Sequence, residues 1–77
     1  MQAVPKDTES AFLRKVGKRI KALREERQMS QSGLAVRSGV NRQYLWGIEK
    51  GVRNITLLRL EQIARILKVS PAALLED

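Results

Sequence analysis

Punctuation writes short helices into this chain. Ser30, Asn41, Thr56 and Ser70 can each accept hydrogen bonds from the first amides of a helix, while Gly39 and Gly51 can end one in the left-handed conformation. The intervals leave room for helices of about two to four turns. A second helix is thus expected from Ser30 with Leu34 and Ala35 inward, and a third from Asn41 to about Lys50 with Leu45 and Ile48 as its buried edge. A fourth should start at Thr56, with Leu57, Leu60, Ile63, Ala64 and Leu67 on a single face. Ser70 and Pro71 open a last turn, since serine caps and proline suits the first helical position. Upstream, Leu13, Val16, Ile20 and Leu23 recur at spacings of three, four and three, the apolar stripe of a first helix that ends near Gln28. Asp7, Thr8 or Ser10 is the cap expected for it. Strand signals are missing. The predicted fold is all-α, a compact bundle of five short helices: a flexible N-terminal arm at 1–9, then a single domain at 10–77.

With 77 residues the chain suits one domain of marginal size, for which a second copy is a natural source of stability. It contains no cysteine and no histidine. Disulfides, cysteine-ligated zinc or iron-sulfur sites and the usual nucleophile-base pairs are therefore excluded, and no enzyme activity, metal or other cofactor is expected. Neither a signal-peptide-like apolar run nor a membrane-spanning stretch is present, so a cytoplasmic protein with no membrane partner is expected. Fifteen Lys and Arg against eight Asp and Glu leave a formal charge of +7, which points to a polyanion. Basic and acidic residues number eight and four over 1–28, four and one over 29–56, and three and three over 57–77. The excess therefore lies in the first 56 residues.

Two capped helices joined by Ser38-Gly39-Val40 within about twenty residues form a helix-turn-helix. One helix lies in the major groove of duplex DNA while the other crosses the phosphate backbone. With Leu45 at the centre of the buried edge, a helical wheel puts Gln43, Trp46, Gly47 and Lys50 outward, and Arg42 stands at the exposed amino end. Gln pairs bidentately with adenine and Arg with guanine, so Arg42, Gln43 and Trp46 form the expected base-contacting set, with Lys50 on a phosphate. Gln31 can direct its amide at a phosphate from the positive end of the second helix. Arg53 and Asn54 can grip the backbone on the other side of the groove, or be turn residues without a ligand. Lys15, Lys18 and Arg19 add diffuse charge that can serve solubility alone.

Glu49 falls about 40° from Leu45 on the wheel, and Arg24 is equally near the stripe of the first helix. An ion pair tying the first helix to the third is inferred, structural rather than catalytic. Trp46 has three open positions: on sugar or thymine methyl groups, beside Gly47 as a shield, or folded back over the core. Leu58 and Ile66, flanking Gln62, lie opposite the inward stripe of the fourth helix. With Val69, Ala72, Leu74 and Leu75 they suggest a self-association surface, unless Val69, Leu74 and Leu75 close the monomer core.

The run Met29-Ser30-Gln31 through Leu34-Ala35, then Ser38-Gly39-Val40, Tyr44, Gly47-Ile48-Glu49-Lys50-Gly51 and Leu67-Lys68-Val69-Ser70 resembles the lambda-repressor-like helix-turn-helix family. The likeness covers roughly Val16 to Leu75. Within that family, Arg42-Gln43-Tyr44, Gly47-Ile48-Glu49 and Arg53-Asn54 resemble the controller proteins of restriction-modification systems. This resemblance implies a homodimer joined through its C-terminal helices, acting as activator and repressor at pseudo-palindromic operators, with RNA polymerase as a further partner and no small-molecule effector. It further implies base contacts from Arg42 and Gln43, phosphate contacts from Gln31, Tyr44, Arg53 and Asn54, and a structural role for Arg24 and Glu49. Two positions depart from the pattern. Ser32-Gly33 stands where a pair ending in Glu is usual, which removes a capping-box acid and adds a helix-weakening glycine. Trp46 replaces a small polar residue, so operator sequence does not carry over. The competing readings are the antitoxin of a toxin-antitoxin module, a phage-type repressor and, with no aromatic stacking platform to support it, an RNA-binding or scaffolding module.

Overall fold

The computed structural model describes residues 6–76, and four α-helices account for most of them. They are α1 (Lys6–Glu26), α2 (Gln31–Ser38), α3 (Arg42–Lys50) and α4 (Leu57–Leu67), followed by a 3₁₀ turn, Pro71–Leu74. The expected fifth helix is this single turn. Ser70 caps it and Pro71 opens it, but the chain provides only four residues before the turn closes at Leu75. Among the described residues there is no strand.

Each internal helix starts where a short polar side chain replaces a missing backbone acceptor. Gly33 N donates to Ser30 Oγ at 2.9 Å, Tyr44 N to Asn41 Oδ1 at 2.7 Å and Arg59 N to Thr56 Oγ1 at 3.1 Å. Three of the stops are left-handed residues: Gly39, Gly51 and, against the usual preference, Lys68 at φ 61°. The first helix begins earlier than expected. It is helical from Lys6, so residues 6–9 belong to α1 rather than to an arm, because nothing between Lys6 and Leu13 breaks a helix. The rest of the expected arm, 1–5, lies outside the described residues.

The core draws on every element. Val16, Ile20 and Leu23 of α1 meet Leu34 and Ala35 of α2, Leu45 and Ile48 of α3, and Leu60, Ile63, Ala64 and Leu67 of α4, with Leu74 closing the bottom. At about 1.5–3 kcal/mol for each large side chain fully removed from water, these residues carry the fold. Two expectations fail at the edges. Leu57, the first residue of α4, is 82% exposed because no element lies over that end of the stripe. Leu74, expected on a self-association surface, is fully buried beneath α1 and α4 and belongs to the core. Arg19 is structural too: its Nε donates to the carbonyl of Ala73 at 3.1 Å and ties α1 to the last turn.

Glycine sets how closely α1 and α3 approach. A Cβ on Gly17 would stand 2.3 Å from the carbonyl oxygen of Ile48, and one on Gly51, at φ 76°, would stand 2.6 Å from Arg14 Cα. Only residues without a side chain let the two backbones abut here, and this contact fixes α3 against α1.

Candidate nucleic-acid interface

Helix α3 is nine residues long and buries Leu45, Gly47, Ile48 and Glu49. A carboxylate on the buried side needs a partner. Arg24 supplies it with two parallel bonds, Nε to Glu49 Oε2 at 2.7 Å and Nη2 to Oε1 at 3.0 Å, while its Nη1 donates to the carbonyl of Met29 at 2.9 Å. Hydrogen bonding to the Glu49 carboxylate holds the Arg24 guanidinium above its ordinary pKa, against the opposing effect of burial. The structure thus brings together the two residues singled out on the helical wheel.

A third residue joins the pair. Gln31 is half-buried, its Nε2 donating to Glu49 Oε1 at 3.1 Å while its Oε1 accepts from Arg42 Nη1 at 3.5 Å. Sequence reasoning expected Gln31 to aim its amide at a phosphate. In the free chain the amide links the buried pair to Arg42, because Glu49 Oε1 is within its reach at the start of α2. One amide hydrogen is committed and a second remains.

On the outer side, Arg42, Gln43 and Lys50 are exposed and Trp46 is 48% exposed. Trp46 faces outward rather than over the core, and Lys50 Nζ stands 5.8 Å from its ring centroid, a cation-π contact. Gly47, placed outward by the wheel, is buried. The stem of Arg53 covers it, with Cγ 3.0 Å from where a Cβ would stand. The gap beside Gly47 is therefore filled by Arg53 and not by Trp46. Arg53 continues over Tyr44, its guanidinium carbon 5.6 Å from the ring centroid, and Tyr44 in turn packs against the core. Asn54 follows, exposed in the same loop.

Together Arg42, Gln43, Trp46, Gly47, Val52 and Arg53 line an open concavity of about 690 Å³. Cationic and amide donors surround an apolar wall made by Trp46 and Val52, a combination suited to base edges and thymine methyls. A second concavity, about 510 Å³, lies on the other side of Trp46, and Arg14, Lys18 and Lys21 of α1 reach it along with Lys50. The sequence reading set Lys18 aside as diffuse charge and did not single out Arg14 or Lys21. Their spacing of four and three on one helix face was the available signal. Away from α3, Leu58, Gln62 and Ile66 fall on one ridge of α4 at intervals of four. Leu58 is 65% and Leu75 40% exposed, whereas Gln62, Ile66 and Val69 are half-buried. Arg59 Nη1 donates to Gln62 Oε1 at 2.9 Å.

Among the described residues no cluster of three or more carboxylate, histidine or cysteine side chains could hold a metal ion, and no helix is long and apolar enough to cross a membrane.

Comparison with known proteins agrees with this geometry. The helix-turn-helix family model matches residues 20–74. The immunity repressor protein of Bacillus phage phi105 is 40% identical over 62 residues, 80% of this chain and 43% of that protein. The chain thus spans less than half the length of the first curated relatives it matches. Among solved structures, the restriction-modification controller protein C.AhdI from Aeromonas hydrophila superposes with a TM-score of 0.81 at 39% identity, covering 83% of this chain and 97% of that one. The master regulator for biofilm formation SinR, solved in complex with DNA, gives a TM-score of 0.76 at 39% identity over 79% of this chain and 98% of the other.

Proposed function

The chain belongs to the helix-turn-helix family, and from that membership we propose that it is a sequence-specific regulator of transcription that reads duplex DNA with α3. The observation that carries the reading is the outer face of α3: Arg42, Gln43 and Trp46 stand exposed while Arg24 and Glu49 anchor the opposite side. Arg42 and Gln43 hydrogen-bond base edges and Trp46 packs on thymine methyls. Tyr44, Lys50, Arg53 and Asn54 position the backbone, with the second amide hydrogen of Gln31 as a further phosphate donor.

The subtype favoured is the controller protein of a restriction-modification system. Likeness to C.AhdI supports it, since that chain is covered almost end to end. In this reading a single domain over 10–77, cytoplasmic and free of a small-molecule effector, pairs through Leu58, Gln62, Ile66, Val69 and Leu75. The homodimer occupies pseudo-palindromic operators, repressing or, through RNA polymerase, activating. A phage-type repressor is the second reading, favoured by the phi105 immunity repressor, in which the matched segment is less than half of the protein.

Selection from random duplex DNA, followed by competition of the selected duplex against a scrambled one, tests the proposal. Enrichment of a two-fold symmetric motif is the expected result. Equal affinity for selected and scrambled duplexes would overturn it.

A further inference from the structure

The concavity beside α1 is not accounted for by base reading. Its rim holds Arg14, Lys18 and Lys21 opposite Trp46 and Lys50. The first and last of these α1 cations are seven positions apart, about 10 Å of helix axis at 1.5 Å per residue. That is roughly three phosphate-to-phosphate steps along one strand of a duplex. All three are exposed, and among the described residues no hydrogen bond or ion pair engages their side chains. Two carboxylates reach the same concavity. Glu49 is neutralised by Arg24, which leaves Glu25 as the offset within this concavity, while Glu76 stands with Arg14 and Lys18 at a neighbouring one.

Charge kept only for solubility can sit anywhere on a surface. These cations instead sit where Gly17 and Gly51 bring the α1 backbone flush against the C-terminal end of α3. A groove occupied by a helix is bordered by the backbones of both strands. Arg53 lies on one side of Trp46, and the α1 cations lie on the other.

We propose that Arg14, Lys18 and Lys21 form a second backbone grip, a cationic ridge that binds the phosphodiester strand bordering the base pairs read by α3, on the side of Trp46 away from Arg53. The inference rests on the DNA-binding reading of α3 and adds a phosphate site on α1 to it. The ridge contributes affinity and orientation without base preference, because it contacts only the repeating part of the duplex.

The test uses the full chain, the duplex recovered by selection and a scrambled duplex, with dissociation constants measured between 50 and 200 mM salt. The variant R14Q/K18Q/K21Q is compared with R27Q/R37Q/K68Q, which removes the same charge from exposed positions lining neither concavity. Thermal melts confirm that both fold. The ridge variant should flatten the slope of log affinity against log salt by about 2 to 3, at roughly 0.9 per lost phosphate contact. Its preference for selected over scrambled duplex should be unchanged, and the control variant should move the slope by less than half as much. Equal slopes for the two variants, or a lost preference in the ridge variant, would overturn the ridge while leaving the reading of α3 intact. Wild-type protein that binds both duplexes equally would overturn the reading of α3 itself, and the ridge with it.

Discussion

Arg42 and Arg53 carry the same charge and stand at the same concavity, yet they should differ in what their loss does. Arg42 is exposed at the amino end of α3, supported by Gln31, and is the residue proposed to meet base edges. Arg53 lies over Gly47 and Tyr44, a platform that holds its guanidinium in place and suits the phosphate contact proposed for it. Accordingly Arg42→Ala should weaken binding to a selected duplex by about 1–3 kcal/mol while leaving a scrambled duplex nearly unaffected. Arg53→Ala should weaken both alike and flatten the salt dependence by about one phosphate. Titrations of the two duplexes at several salt concentrations separate these outcomes, and equal losses on both duplexes in Arg42→Ala would remove it from the reading set. A different residue-scale test concerns Gly17. In an ordinary helix interior Gly→Ala adds about 0.5–1 kcal/mol of stability. At Gly17 the new methyl meets the backbone of α3, and Gly17→Ala should instead destabilise the fold by about 1–3 kcal/mol in denaturant titrations. A stabilised variant would mean the two helices do not abut as described.

At the scale of elements, Arg24, Glu49 and Gln31 join α1, α3 and α2 in one hydrogen-bonded unit. Removing either member of the Arg24–Glu49 pair strands a buried charge, so Arg24→Met should cost about 3–5 kcal/mol. The double variant Arg24→Met with Glu49→Leu should regain most of that loss, since two apolar groups strand nothing. Chemical denaturation of the three proteins checks this, and a double variant no better than the single would refute the coupling. Because the hydrogen bond to Glu49 raises the pKa of Arg24, the stabilisation is present below the unfolded value and would be lost only on passing a folded value higher still. No weakening of the pair is therefore expected on the alkaline side of neutrality. The caps of the internal helices were legible because each depends on residue type at a local spacing, and the Arg24–Glu49 pair because each charge falls on the apolar side of its own helix and needs an opposite partner there. Gly47 was not, since its cover comes from Arg53 across a turn that no helical wheel includes. The link from Gln31 to Glu49 was hidden because a neutral amide at the start of a helix conflicts with nothing in its surroundings and so calls for no partner.

For the molecule as a whole, Arg42, Lys50 and Arg53 lie on or just after α3, while Leu58 and Leu75 stand exposed on α4 and after the final turn. A self-association face away from the DNA face would leave both usable at once. Leu58→Glu with Leu75→Glu should shift sedimentation at micromolar concentration from dimer to monomer and keep the helical signal of the fold, as both side chains are exposed. Monomeric wild-type protein under the same conditions would defeat the dimer reading. The overall helical order was legible from caps and stripes. The end of the fold was less so, because Leu57 and Leu74 are equally apolar in sequence and only packing assigns one to solvent and the other to the interior.

The direct contact of the α1 and α3 backbones at Gly17 and Gly51 has a consequence for the spacing of the DNA sites. With no compressible side chain in that seam, the reading helix has no hinge, and each protomer of a dimer behaves as one jaw of a fixed caliper. Every base pair added between two half-sites displaces one of them by about 3.4 Å and turns it by about 35° around the duplex. A pair of such jaws whose joint is as stiff as that seam cannot follow, so one inserted base pair at the centre of the operator should then cost nearly as much affinity as deleting a half-site, and a smaller loss would place the play at the joint between protomers.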